Sequence, residues 1–215
     1  MKDTNINPVR LTRRLFEDTD VVSTARSLLG KVLCTHFSGK LTTGLIVETE
    51  AYRAPEDKAS HAYHHRRTSR TEVMFGPPGH AYVYLCYGIH HLFNIVTGPV
   101  DTAHAILIRA IEPVVGIDHM LARRNMAKLN YRITAGPGSL SRALGLERKH
   151  SGLDLTSADS SIWIEHQSAT SMKQKKLEAH DIIASPRVGV DYSEECASWP
   201  WRFRIKDNPW VSLAK

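Results

Sequence analysis

The sequence predicts an α+β protein, a single mixed domain of antiparallel hairpins with short helices around them. Three observations carry this expectation. Segments rich in β-branched and aromatic residues are separated by compact turn signals, such as Ser38-Gly39-Lys40 and Gly76-Pro77-Pro78-Gly79. Helical periodicity is confined to short stretches. No internal repeat or low-complexity linker divides the 215 residues, a length that suits one buried core.

Residues 1–12 carry no clear pattern and are expected to form a flexible arm. Thr19 and Asp20 form an N-cap signal, after which Val21, Val22, Ala25, Leu28 and Leu29 recur at helical spacing until Gly30. Residues 31–37 and 41–52 read as two strands of a hairpin. Ala54-Pro55-Glu56-Asp57 breaks the second strand, and a polar, basic loop follows to Arg70. Residues 80–87 and 92–97 read as another hairpin with Gly88-Ile89-His90-His91 at its tip, and the apolar run 103–111 as an interior strand. Pro113 predicts the start of a helix over 114–127, and Gly136-Pro137-Gly138-Ser139 leads into a short helix at 140–144. Shorter strands are predicted at 161–166, 182–190 and 203–205, and a solvated loop at Lys173-Gln174-Lys175-Lys176.

No stretch approaches the roughly 18 consecutive apolar residues of a membrane span. Met1-Lys2-Asp3-Thr4-Asn5 lacks the apolar core of a signal peptide, so a soluble, intracellular protein is expected. Cys34, Cys86 and Cys196 are too few and too scattered for a disulfide framework and read as buried free thiols. A net charge of +6 and a pI of 9.3 favour a polyanionic partner, through attraction to phosphates and release of counterions.

In Val47-Glu48-Thr49-Glu50-Ala51-Tyr52, strand alternation places Glu48, Glu50 and Tyr52 on one face. That grouping suits either general-base chemistry or the solvated face of an edge strand. Residues 61–70 hold His61, His64, His65, Arg66, Arg67 and Arg70. This segment reads as a mobile basic loop, with the three arginines as candidates for DNA-backbone contact, or as a metal site through His61 and His65. No HExxH or paired-cysteine pattern supports the metal. Tyr82 and Tyr84 share a strand face, where packing accounts for Tyr82. Tyr87 lies on the other face at the hairpin tip, where a large side chain can act as a wedge between base pairs.

Taken together, a set of segments resembles the alkyladenine (3-methyladenine) DNA glycosylase family of the type without a helix-hairpin-helix. They are Ile46-Val47-Glu48-Thr49-Glu50-Ala51-Tyr52, Pro55-Glu56-Asp57 with Ala59-Ser60-His61, Tyr82-Val83-Tyr84 with Tyr87-Gly88, and Asn94-Ile95. Leu107-Ile108-Arg109-Ala110 with Glu112-Pro113, Arg187-Val188-Gly189-Val190 and Asn208-Pro209-Trp210-Val211-Ser212 complete it, in family order from about residue 13 onward.

The resemblance implies one domain with a curved antiparallel sheet, a protruding β-hairpin and surrounding helices. It implies a monofunctional glycosylase of base excision repair, acting on alkylated purines such as 3-methyladenine and 7-methylguanine in double-stranded DNA. By the same resemblance Glu50 is the general base for water, held with the help of Arg109 and the Val188 carbonyl. Tyr52 stacks on one side of the flipped base, with His61 and Tyr84 opposite. His61 and the Ala59 amide are hydrogen-bond partners of the lesion, Asn94 crowds the 2-amino group of undamaged guanine, and Tyr87 intercalates into the gap. Glu48 has no such role and is expected to matter far less than Glu50. Two departures stand out: His90 and His91 where apolar or aromatic groups are expected, and a long turn at Gly98-Pro99-Val100-Asp101.

The implied reaction is hydrolysis to an abasic site by a monomer, with no metal or organic cofactor. The expected location is cytoplasmic, with the nucleoid, in a prokaryote, and nuclear in a eukaryote. Three other readings stay open on the residues alone: a metal-dependent hydrolase built on His61, His64 and His65, a non-catalytic nucleic-acid binder, and an acyl or formyl transferase.

Overall fold

The computed structural model describes residues 9–167 and 177–213. The loop read at Lys173-Gln174-Lys175-Lys176 lies outside the described residues, as do residues 1–8 of the expected arm. The rest of that stretch is docked. Leu11 is buried and its N–H donates to the Ile164 carbonyl at 2.7 Å, while Arg10 bridges to Glu165.

Eight strands form one sheet in which every pairing is antiparallel: β1 (Val32–Phe37), β2 (Lys40–Tyr52), β3 (Ala81–Cys86), β4 (His90–Thr97), β5 (His104–Val115), β6 (Ile162–Glu165), β7 (Ile182–Ser185) and β8 (Arg202–Ile205). The main path runs β3-β4-β5-β2-β1-β6, and β8 joins it by pairing with β2 on one side and β7 on the other. Helices α1 (Val21–Ser27), α2 (Ile117–Arg124) and α3 (Pro137–Leu144) pack against this sheet. Asp20 caps α1, accepting from the amides of Val22 and Ser23. That cap aims Val21, Ala25 and Leu28 into a core shared with Ile106, Ile108 and Ile111.

β2 is the organising strand. Its first half pairs with β1 and its second half with β8, while β5 follows its other side over most of its length. Two compensating bulges interrupt the β2–β5 ladder. Register passes from Ile46↔Ile111 to Glu48↔Ala110 and then to Thr49↔Ile108. Val47 is therefore the extra residue on β2, and Arg109 the extra residue on β5. Bulges of this kind bend a strand and re-aim side chains, and these two sit beside Glu48 and Glu50.

Three elements beyond β4 differ from the sequence reading. The strand predicted to end at residue 111 runs on to Val115, because Pro113 lies opposite Gly44 at a register shift where its missing N–H breaks no regular ladder. The helix expected over 114–127 begins only at Ile117, after Gly116 turns the chain at φ 75°. A side chain at Gly116 would lie 2.3 Å from the Leu41 carbonyl oxygen. The strand expected over 182–190 stops at Ser185, and Pro186 to Val190 form a loop that leads Arg187 and Val188 back toward β2.

Candidate active site

Glu48 and Glu50 lie where β2 has a partner on each side, Glu50 opposite both Leu107 of β5 and Arg202 of β8. Both are fully buried. The edge-strand alternative for this face therefore fails, since no solvated edge exists here. The bulged Arg109 bridges them, donating from Nε to Glu48 Oε1 at 2.9 Å with Nη1 3.3 Å from Glu50 Oε1. Burial works against the charged guanidinium, but Glu50 and Glu48 outweigh it and raise the Arg109 pKa.

Glu48, expected to matter far less than Glu50 for base release, is nevertheless densely hydrogen-bonded. Its Oε1 accepts from Arg109 Nε, from Arg202 Nε at 2.7 Å and from the Ser212 hydroxyl at 2.9 Å, and its Oε2 accepts from the Ser212 amide at 2.7 Å. Glu48 thus ties β2, β5, β8 and the C-terminal segment together, and fixes the Arg109 guanidinium beside Glu50.

Glu50 accepts the Val188 N–H on Oε1 and the Tyr52 hydroxyl on Oε2, each at 2.8 Å. Val188 therefore meets Glu50 through its amide, a contact separate from the water-holding role that the resemblance implies for its carbonyl. Burial and the adjacent Glu50 charge push the Tyr52 phenol well above its ordinary pKa, which keeps it a donor.

Tyr52, Arg109 and Val188 form part of the wall of a cavity of about 600 Å³, and Glu50 lies directly behind them. Ala59, His61, Tyr84 and Asn94 line the same cavity. The His61 ring meets Tyr84 edge-on, with centroids 4.6 Å apart, and its Nδ1 lies 2.7 Å from the Tyr82 hydroxyl. Arg70 Nη2 donates to His61 Nε2 at 3.0 Å. A neutral ring with Nε2 accepting carries its proton on Nδ1, directed at Tyr82.

Burial first, and then the charges of Arg70 and Arg66, push the His61 pKa from 6.5 down to about 4. An NMR titration should show His61 neutral down to about pH 5, where an ordinary histidine is already protonated. Because the folded pKa lies below the unfolded one, the associated stability is present above pH 6.5 and lost as pH falls toward 4. An imidazole that protonates near pH 6.5 would contradict this environment.

Behind Tyr52 lies a second buried ion pair. Arg187 and Asp57 are completely shielded, with Arg187 Nη2 donating to Asp57 Oδ1 at 2.8 Å. The Arg187 guanidinium sits 4.7 Å from the Tyr52 ring centroid and donates to the Ala51 carbonyl at 2.9 Å, so it holds the ring from behind. Asp57 Oδ1 also accepts the Ala59 amide at 3.0 Å. That corrects the role read for Ala59: its N–H is already committed to Asp57. Its carbonyl faces the Tyr192 hydroxyl at 3.5 Å. Asn94 is buried, and its side-chain amide donates to the carbonyls of Tyr82 and Leu92, which fixes its orientation on the cavity wall.

The basic loop does not act as one unit. Arg67 is engaged with Glu72 at 2.7 Å and Asp101 at 2.9 Å, so its charge is compensated within the protein and the phosphate contact read for it loses support. Arg66 is exposed. Arg70 turns inward, its guanidinium 4.7 Å from the Tyr84 ring centroid. His61 faces Tyr82, and His64 packs on Tyr63 at 4.0 Å. Among the described residues no three His, Cys, Asp or Glu side chains are grouped to hold a metal ion.

At the mouth of the cavity stands the β3–β4 hairpin. Tyr87 and Gly88 both have positive φ, 50° and 73°, and Ile89 N–H donates to the Cys86 carbonyl at 3.1 Å. This is the geometry of a type I′ turn. An aromatic residue at φ 50° is strained, and Tyr87 is 91% exposed. Local packing therefore does not explain it.

Sequence reasoning missed the hub role of Glu48, the inward turn of Arg70, and the lining supplied by Tyr192 and by Gly136 to Ser139 at the start of α3. A proline at the first helical position flanked by glycines was the available signal for the last of these.

Comparison with known proteins places the sequence in a family. The sequence profile of the methylpurine-DNA glycosylase family matches residues 15–209. A protein of Bacillus cereus (strain G9842), provisionally named 3-methyladenine DNA glycosylase, is 48% identical over 92% of this chain and 96% of its own length. Similarly named proteins of Bacillus mycoides (strain KBAB4) and Bacillus anthracis (strain CDC 684) are 47% and 46% identical over 92% of this chain, covering 97% and 96% of theirs. With the profile spanning nearly all the described residues, the chain belongs to the methylpurine-DNA glycosylase family.

Proposed function

We propose that the protein excises alkylated purines, 3-methyladenine first, from duplex DNA by flipping the nucleotide into the Tyr52–Tyr84 cavity and hydrolysing its N-glycosidic bond. The observation that carries this is a buried carboxylate, Glu50, set behind an aromatic cavity whose mouth bears an exposed tyrosine. A base inside duplex DNA is unreachable and must be extruded at a cost of a few kcal/mol. Aromatic walls return about 1–3 kcal/mol in stacking. Glu50 has roughly four lone-pair positions on its two oxygens. Val188 and Arg109 address Oε1 and Tyr52 addresses Oε2, which leaves one position on Oε2 for water.

In the reaction, that water attacks C1′, Glu50 takes its proton, and the base departs with the bonding pair. A cationic alkylpurine leaves as a neutral base and needs no acid; Arg109 keeps the Glu50 charge in place as the sugar becomes cationic. The products are free base and an abasic site. The relatives are bacterial, so the reaction is assigned to the cytoplasm, carried out by a monomer. Incubation with alkylated duplex, followed by detection of free base and alkali-labile sites, tests the reading; intact DNA and no free base would refute it.

Tyr87 replaces the stacking lost by the flipped nucleotide. Tyr87→Ser removes an exposed side chain from a strained position, so folding should be unaffected. Excision from well-paired sites should fall about tenfold or more, and less at mismatches, which cost less to open. A fluorescent base analogue should report a shift toward the stacked state. An unchanged flipping equilibrium with reduced excision would place Tyr87 in the chemical step instead.

A further inference from the structure

Arg70 does not behave as its sequence neighbours do. Arg67 is paired with two carboxylates, whereas among the described residues no carboxylate lies within ion-pair distance of Arg70. Arg70 is exposed as a residue, yet its guanidinium covers the Tyr84 ring and donates to His61 Nε2. Those are two features a flipped purine needs, an aromatic face and a hydrogen-bond acceptor. The backbone around Arg70 is pinned. Thr71 is buried, its hydroxyl accepts the Thr68 N–H at 2.9 Å, and it donates to the Arg66 carbonyl at 2.9 Å. The side chain can therefore move without the loop.

We propose that Arg70 is a displaceable occupant of the base slot: in the free protein its planar guanidinium takes the place of a purine, and it withdraws to a DNA phosphate when the flipped nucleotide enters. The inference rests on the proposed function, because it needs the cavity to receive the base. A guanidinium is flat, stacks on aromatic rings and forms strong contacts to phosphate, so both resting places suit it. An unpaired cation gains more from a phosphate than from a ring. DNA therefore supplies the displacing interaction, and a free base does not. When the DNA departs, Arg70 returns to the Tyr84 face and helps expel the released neutral base.

The test is titration of free 3-methyladenine onto the DNA-free protein, followed by calorimetry, for wild type, Arg70→Ala and Arg70→Lys. Arg70→Ala should bind the base about fivefold more tightly, the equivalent of removing one cation–π competitor. Arg70→Lys should also bind more tightly, since its hydrated ammonium leaves the slot. For duplex binding, Arg70→Ala should flatten the slope of log K against log salt by about 0.9, and Arg70→Lys should keep it. Base affinity unchanged or weakened in Arg70→Ala would overturn the proposal. An unchanged salt slope would overturn its phosphate half. Excision by wild type is measured alongside: release of base with no gain in base affinity sinks the occupant alone, and no release sinks the functional reading with it.

Discussion

Glu50→Gln should lower release of 3-methyladenine from alkylated duplex by at least about a hundredfold, while the protein still folds and still binds the lesion. General-base catalysis contributes roughly 10²–10⁴-fold, and the amide cannot take a proton from water. The fold should tolerate the change for a structural reason. Glutamine can keep its oxygen toward the Val188 N–H and Arg109, and turn its NH2 to Tyr52. The Tyr52 hydroxyl rotates and accepts where it formerly donated. Single-turnover release at saturating enzyme separates the chemical step from binding, and lesion affinity is measured directly on the variant. Release within a few-fold of wild type would remove Glu50 from the role of base.

Much of the fold was legible because its signals are local. The Asp20 cap and the Ser38-Gly39 turn each depend on residues a few positions apart and lie where periodicity and turn chemistry place them. The hairpin tip read at Gly88 to His91 turns instead at Tyr87-Gly88, with His90 and His91 already paired in β4. The errors came where tertiary pairing overrode a local rule. Pro113 is a good first residue of a helix, but β2 recruits it into β5 at a bulge opposite Gly44. Residues 182–190 have strand composition, but Pro186 cannot donate to a ladder and Arg187 is drawn into the buried pair with Asp57.

The site divides in the same way. Alternation alone places Glu48, Glu50 and Tyr52 on one face, and the contacts among Glu48, Arg109, Glu50 and Tyr52 agree. Nothing in the spacing distinguishes the two carboxylates, because their difference lies in partners distant in sequence. Arg109, Arg202 and Ser212, which surround Glu48, are 61, 154 and 164 residues away. The resemblance separated them by family position, which identified the candidate base but said nothing of what holds it. The Ala59 amide shows the limit of such a transfer. A backbone donor is anonymous in sequence, and here Asp57 has already taken it.

Those distant partners set the second large effect. Glu48→Gln should destabilise the protein by about 3–5 kcal/mol, the range for removing one partner of a buried ionic network. Four donors converge on Glu48, three on Oε1 and one on Oε2. Glutamine keeps only one accepting oxygen. If that oxygen serves Arg109 and Arg202, the NH2 is driven against the Ser212 N–H; if it turns to Ser212, the NH2 meets two guanidinium groups. No hydroxyl rotation relieves the backbone N–H clash, in contrast to Tyr52 beside Glu50. The change also leaves Arg109 and Arg202 buried with one carboxylate fewer. For a domain of this size each kcal/mol moves Tm by about 2–4 °C, so the midpoint should fall by about 10 °C. Activity measured well below that midpoint should also drop, because Arg109 loses the contact that sets its orientation toward Glu50. A midpoint within about 2 °C of wild type would refute the hub. Wild-type stability with lost activity would instead transfer Glu48 from structural anchor to the chemistry.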